Sequence, residues 1–255
     1  MIPLMGDWFV QANHGVRFEW GPVGAELLAQ DTACLVVVDV LSFTTSVTVA
    51  VEAGTQVFPY RWRDETAETF AAEVGAQLAV GRSMASETSP WSLSPAALRR
   101  APFAPRLVLP SPNGSTIAVA AGEATVVAGA LRNASAVGQW LADRGYGTPE
   151  QPVLVIASGE RWPDGSLRPA LEDLVGAGSV IAALRQFGRS NLSPEAAIAA
   201  AAFDGVSDVG ATVAACASGQ ELINSGYADD VAIATEQDAC DVVPILVDGA
   251  FVGTD

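Results

Sequence analysis

Cys34-Leu-Val-Val-Val38 runs straight into Asp39, and Val40-Leu-Ser-Phe-Thr-Thr-Ser-Val47 follows. The run has no polar alternation, so it reads as a strand covered on both faces, the habit of a parallel sheet. A carboxylate at the carboxyl end of such a strand stands where open α/β sheets bind ligands. Ser42, Thr44 and Thr45 open the next segment as a helix start, where unpaired N–H groups attract anions. An acid for a cation beside a helix start for an anion points to metal-assisted phosphate chemistry.

Outward from this stretch, strand-like and helix-like segments alternate. Strands are expected at 34–39, 55–59, 76–80, 106–110, 124–128, 153–157 and 242–247. Helices are expected at 44–53, 64–74, 95–100, 115–121, 134–144, 171–187, 194–202 and 210–225. That rhythm predicts an α/β protein, a three-layer α/β/α arrangement with a largely parallel or mixed sheet. Residues 1–255 read as one domain, or two lobes of one. The first thirty residues suggest an edge strand or hairpin around Phe9 and Phe18, then a short helix at 22–29. Irregular loops at 82–95 and 158–170 are long for such a domain, and loops of about a dozen residues are often functional.

Composition removes several chemistries. All 13 basic residues are arginine, so the lysine of a phosphate-binding P-loop, Schiff-base mechanisms and pyridoxal chemistry are excluded. One histidine, His14, leaves no multi-histidine zinc site. Cys34, Cys216 and Cys240 sit in apolar surroundings and read as small buried hydrophobes. A net charge of −16 argues against nucleic acid, and an anionic ligand would need local arginines, helix N-termini or a bound divalent ion. No apolar run approaches the ~20 residues of a membrane span, and Met1–Asp7 lacks the basic start of a signal peptide. The expectation is a cytoplasmic protein with no membrane partner, and a homodimer is the default assembly.

Four strand ends carry polar clusters that a parallel sheet would bring to one edge: Asp39 with Ser42, Thr44 and Thr45; Asn113-Gly114-Ser115; Gly129 with Asn133; and Glu160-Arg161 leading to Glu172-Asp173. Arg82, after Gly81, also follows a strand. Each cluster has a purely structural alternative as a cap, turn or solvated charge. Taken together, Asp39, Glu172 and Asp173 are candidate catalytic groups and candidate oxygen ligands for Mg²⁺. Ser42, Thr44, Thr45, Asn113, Gly114, Ser115, Arg161 and Arg82 are candidate substrate-binding residues for a phosphoryl group. A haloacid-dehalogenase-type nucleophile is excluded, because position 41 is leucine rather than a second aspartate and the partner lysine does not exist.

Val38-Asp-Val-Leu-Ser-Phe-Thr-Thr45, Ser111-Pro-Asn-Gly-Ser-Thr116 and Glu172-Asp-Leu-Val-Gly-Ala-Gly178 occur in an order that resembles the 2-phosphosulfolactate phosphatase family. Ser94-Pro95 and Gly226-Tyr-Ala-Asp-Asp-Val231 extend the likeness across roughly residues 30 to 247. The resemblance implies a Mg²⁺-dependent phosphatase with a three-layer fold, converting 2-phospho-3-sulfolactate to 3-sulfolactate on the way to coenzyme M. Asp39, Thr44, Thr45, Asn113, Gly114, Glu172 and Asp173 are the matching motif positions. The chain departs from the family pattern at Ser42-Phe43, where an arginine is usual, and at Val80 and Leu93. Glu160-Arg161 is the expected compensation. The alternatives are a non-catalytic binder of a small phosphorylated ligand and a carboxylate hydrolase using Asp39 as base.

Overall fold

The chain enters its sheet at β1 (Val16–Trp20), turns through α1 (Gly21–Leu28) and returns as β2 (Cys34–Val38) before α2 (Phe43–Glu52). This computed structural model describes Gly6, residues 8–61 and residues 64–254; apart from Gly6, the Met1–Asp7 segment lies outside the described residues. β3 (Gln56–Tyr60), α3 (Glu65–Glu73), β4 (Gln77–Leu78), α4 (Pro95–Arg100), β5 (Arg106–Pro110) and α5 (Gly114–Ala120) follow. β6 (Thr125–Gly129), α6 (Ala134–Asp143) and β7 (Val153–Ala157) lead to a small ribbon, β8 (Glu160–Arg161) with β9 (Leu167–Arg168). Five helices come next: α7 (Leu171–Gln186), α8 (Pro194–Asp204), α9 (Val209–Ala215), α10 (Ala217–Asn224) and α11 (Ala228–Ala234). The hairpin β10 (Pro244–Val247) and β11 (Ala250–Gly253) closes the order.

β2 behaves as its composition demands. Cys34, Val36 and Val38 enter one apolar cluster with Val175, Val180 and Ile181 of α7, while Leu35 and Val37 enter the opposite one with Phe43 and Val47 of α2 and Ile117 of α5. A strand with both faces buried has no position for a polar residue until it ends. Helices thus cover both sides of the sheet, giving the three-layer α/β/α architecture.

The nine-stranded sheet runs β1-β7-β2-β6-β10-β11-β3-β5-β4. The β1-β7-β2-β6 set is internally parallel, as is β3-β5-β4, but β10 and β11 join the two through antiparallel pairings. Three reversals leave the two parallel sets opposed in sense, which corrects the expectation that all strand ends share one edge. Twist nevertheless brings the sets together. At about 20–25° per pairing step, the five steps from β2 to β5 accumulate on the order of 100°. The loops after these strands meet, with Gly114 N donating to Asp39 Oδ2 over 3.1 Å.

Several elements differ from the sequence reading. The helix expected at 210–225 breaks at Cys216, whose extended ψ of 168° separates α9 from α10. The stretch expected at 76–80 is a strand only over Gln77–Leu78. Phe9 lies in a turn, and Phe18 belongs to β1, which pairs in parallel with β7 rather than in a hairpin. β11 was not expected, although Asp248-Gly249, with φ of 49° and 82°, is the left-handed pair that tight hairpins favour. Among the described residues no single helix is long and apolar enough to cross a bilayer.

α7 places Glu172 and Asp173 by packing unusually close. A Cβ on Gly176 would lie 2.5 Å from Val40 Cγ2 and 3.0 Å from Val38 Cγ1. One on Gly178 would lie 2.2 Å from the Ala199 carbonyl oxygen. Overpacking a filled core costs about 1–3 kcal/mol, more than the gain of about 1 kcal/mol in helix propensity on replacing glycine. Gly176→Ala is therefore expected to lower stability by about 1–2 kcal/mol. Urea unfolding would show it as a lower midpoint, and an unchanged or higher midpoint would refute the close-packing account.

Candidate active site

Asp39 leaves β2 as a buried carboxylate bound at two helix starts. Its Oδ1 accepts Phe43 N at 3.0 Å, at the start of α2, and its Oδ2 accepts Gly114 N, at the start of α5. Orphan N–H groups at helix N-termini favour a negative partner, and here the strand's own acid supplies it. Burial is the main force raising the Asp39 pKa, opposed by those two N–H groups; nearby Glu172 raises it further and Arg82 lowers it.

Asp173 makes a second bracket. From the first turn of α7 its Oδ1 accepts Val40 N at 2.7 Å and its Oδ2 accepts Gly159 N at 2.8 Å. It thereby ties the helix to the loops after β2 and β7. Burial, then the charges of Asp39 and Glu172, hold its pKa well above the usual carboxylate range. Glu172 beside it is buried, and its Oε2 accepts the Cys216 thiol at 3.1 Å. Cys216 also accepts Gly219 N at 3.4 Å, so it caps α10 and is a polar partner rather than the inert hydrophobe expected. The four acids Asp39, Glu160, Glu172 and Asp173 thus lie within electrostatic reach of one another.

The hydroxyls of the α2 start turn inward. Thr44 Oγ1 donates to the Asp39 carbonyl at 2.9 Å and accepts Asp39 N at 3.0 Å; Thr45 Oγ1 donates to Val40 O at 2.8 Å. Ser115 Oγ donates to Leu109 O at 3.4 Å. With Phe43 N and Thr44 N taken by Asp39, these bonds organise the loop and leave little of that helix start for an outside anion. Ser42 is different, since its Oγ accepts Arg82 Nη2 at 2.5 Å. Gly114 must be glycine here, because a Cβ would meet the Phe43 ring at 2.3 Å and Asp39 Oδ2 at 2.9 Å. Asn133 bonds to Ala130 N, Ala128 O and Val242 O, which makes it a fastening between β6 and the segment leading into β10 rather than part of this site.

Two arginines flank the acids. Arg82 approaches Asp39, and Arg168 acts on Glu160 and donates to Ser218 Oγ at 3.1 Å. Arg168 escaped the sequence reading because only the β8–β9 pairing sets Leu167 and Arg168 against Arg161 and Glu160. Arg161 is exposed and donates to Gly165 O in its own loop at 3.0 Å. It lines, with Asn113, Ser158 and Glu160, a cavity of about 230 Å³ beside the acids.

Glu160 accepts Asn113 Nδ2 at 3.3 Å, and burial with the charges of Asp39 and Glu172 pushes its pKa up to about 7. A carboxyl that holds its proton more tightly when folded gives stability present below about 4.5 and lost as pH rises through about 7. In chelator-treated protein this loss is expected to reach about 3 kcal/mol between pH 4.5 and pH 8. Glu160→Gln, uncharged throughout, should not share it. Urea midpoints across that range would show the two proteins diverging, whereas parallel curves would refute the assignment.

The profile of the 2-phosphosulpholactate phosphatase family matches residues 24–249, a span that includes every residue of the acid cluster. No curated protein matches this chain. The family is one of phosphatases, whose substrates are small phosphorylated molecules, and the match covers nearly the whole chain. This chain belongs to the 2-phosphosulpholactate phosphatase family.

Proposed function

We propose that the protein is a Mg²⁺-dependent phosphatase of small acidic phosphate esters, with 2-phospho-3-sulfolactate as the first substrate to test. The observation that carries this reading is the meeting of four carboxylates, from the end of β2, from β8 and from the first turn of α7, between Arg82 and Arg168 in a chain of a phosphatase family.

The donor set is all oxygen, which suits Mg²⁺ better than a softer metal. The described residues contain no group of three or more His, Cys, Asp or Glu side chains arranged to hold an ion. The three-carboxylate cage expected from sequence is therefore not preformed. Mg²⁺ does not require one, since it takes one or two carboxylates and completes its shell with water and substrate oxygens. Asp39, Glu172 and Asp173 are the residues to hold it, two at a time. When bound it would neutralise phosphoryl charge and polarise a phosphoryl oxygen.

The chain's own residues supply the rest. Arg82 orients the phosphoryl group and stabilises its equatorial oxygens as charge shifts. Water attacks phosphorus as the ester P–O bond breaks, and the proton it loses passes to solvent, from which the Glu160 carboxylate is reprotonated after the step. Glu160, whose burial favours the protonated carboxyl, gives its proton to the departing alkoxide. Asn113 orients that carboxyl through their hydrogen bond.

Phosphate release from 2-phospho-3-sulfolactate and from simple phosphomonoesters, with Mg²⁺ and with chelator, tests the reading. Asp39→Asn is expected to lower kcat/KM by about 10²–10⁴. Glu160→Gln should cost about 10² on alkyl esters and far less on p-nitrophenyl phosphate, whose leaving group needs no proton. Equal losses on both esters would remove Glu160 as the acid. Ligand binding with no phosphate release from any ester would favour the non-catalytic binder instead.

A further inference from the structure

Arg82 opens a short turn, Arg82–Met84, in an irregular segment, yet its side chain is fixed. Nε donates to Asp230 Oδ2 at 3.0 Å and Nη2 to Ser42 Oγ at 2.5 Å, and the guanidinium carbon lies 5.7 Å from the centre of the Tyr227 ring. No acceptor among the described residues takes Nη1. A long cation on a loop loses considerable rotamer entropy when held in one pose. Fixing it this way makes sense if one edge of the fork must be presented to something else.

Asp230 is the anchor. It is 1% exposed, and Oδ1, the oxygen not facing Arg82, accepts Ser94 Oγ at 2.5 Å and Ala96 N at 3.1 Å. Its carboxylate is therefore pinned to the start of α4 while it holds Arg82 from α11. Ser42 completes the hold from the loop that carries Asp39, and Arg82 in turn acts electrostatically on Asp39. Two segments far apart in sequence, the Ser42 loop and Tyr227–Asp230, converge on one guanidinium whose Nη1 meets no acceptor among the described residues.

We propose that Asp230 is a positioning residue: it aims the free Nη1 edge of Arg82 at a phosphoryl anion bound beside Asp39. The inference rests on the phosphatase reading for its ligand, but its first test is binding of inorganic phosphate, which needs no turnover. Asp230→Asn keeps the shape and an acceptor for Ala96 N while removing the charge that fixes Arg82.

With MgCl₂ present, calorimetry on Asp230→Asn should show the Kd for inorganic phosphate weakened about tenfold. kcat/KM for a phosphate ester should fall by more than that factor, kcat included, because Arg82 also stabilises the charge that shifts in the transition state. In an Arg82→Ala background, Asp230→Asn should change the phosphate Kd no further. Ser193→Ala, which removes the N-cap of α8 far from this cluster, should lower Tm and leave the phosphate Kd alone. If Asp230→Asn does not fold, Arg82→Lys serves: lysine cannot span Asp230 and Ser42 together, and the same tenfold weakening is expected.

A wild-type phosphate Kd in folded Asp230→Asn or Arg82→Lys would overturn the proposal. So would an equal cost of Asp230→Asn with and without Arg82, or a wild-type protein that binds no phosphate. A phosphate-binding pattern as expected, with no ester hydrolysed, would uphold the positioning role and sink the phosphatase reading alone.

Discussion

The structure turns on the Asp39 carboxylate accepting one N–H from each of two helix starts. A buried acid is costly unless its oxygens are bonded, and the N-termini of α2 and α5 supply both partners together with the favourable end of their dipoles. Because α2 follows β2 and α5 follows β5, this one group fastens together the two parallel sets of the sheet, which run in opposite senses. The absence of a side chain at Gly114 lets the second bond form.

Asp173 repeats the device one layer away, joining α7 to the loops after β2 and β7. These two brackets bring the acids together and divide their work. Asp39 and Asp173 have both oxygens engaged by backbone, so their positions are set before any ligand arrives. The remaining groups are held by side chains instead of backbone: Glu172 by a thiol, Glu160 by an amide and Arg82 by Asp230. Such a frame suits electrostatic catalysis, where groups fixed in advance need not reorganise as charge moves.

The charge balance of the whole chain sharpens the point. With a net charge of −16, the protein repels anions at long range, so affinity for a phosphate ester must be local. Four clustered acids raise the difficulty, and burial with mutual repulsion lifts the pKa values of Asp39, Asp173 and Glu160. Protons or a divalent cation relieve that repulsion, and the flanking arginines supply positive charge without lysine. The absence of lysine narrows the choice of cation to a rigid, always-charged fork, which has to be aimed by its neighbours.

Much of the architecture was legible in the sequence, because the signals are local. An unbroken apolar run must be a strand buried on both faces, and the alternation of strand and helix implies a three-layer packing. The Asp39, Asn113-Gly114 and Glu172-Asp173 elements also stood out, since polar groups directly after buried strands are conspicuous. What residue order left undecided was direction and partnership. Asp39 and Gly114 lie 75 positions apart, and Val40 and Asp173 lie 133 apart; only sheet pairing and twist bring them together. The same holds for Asp230 with Arg82 and for the Cys216 thiol on Glu172. Local backbone preference reaches only a few residues, so the sequence by itself determined the strands, the helices and where polarity returns. The tertiary structure alone decided which charges meet, because hydrogen-bond partners are chosen by what packing brings within about 3 Å.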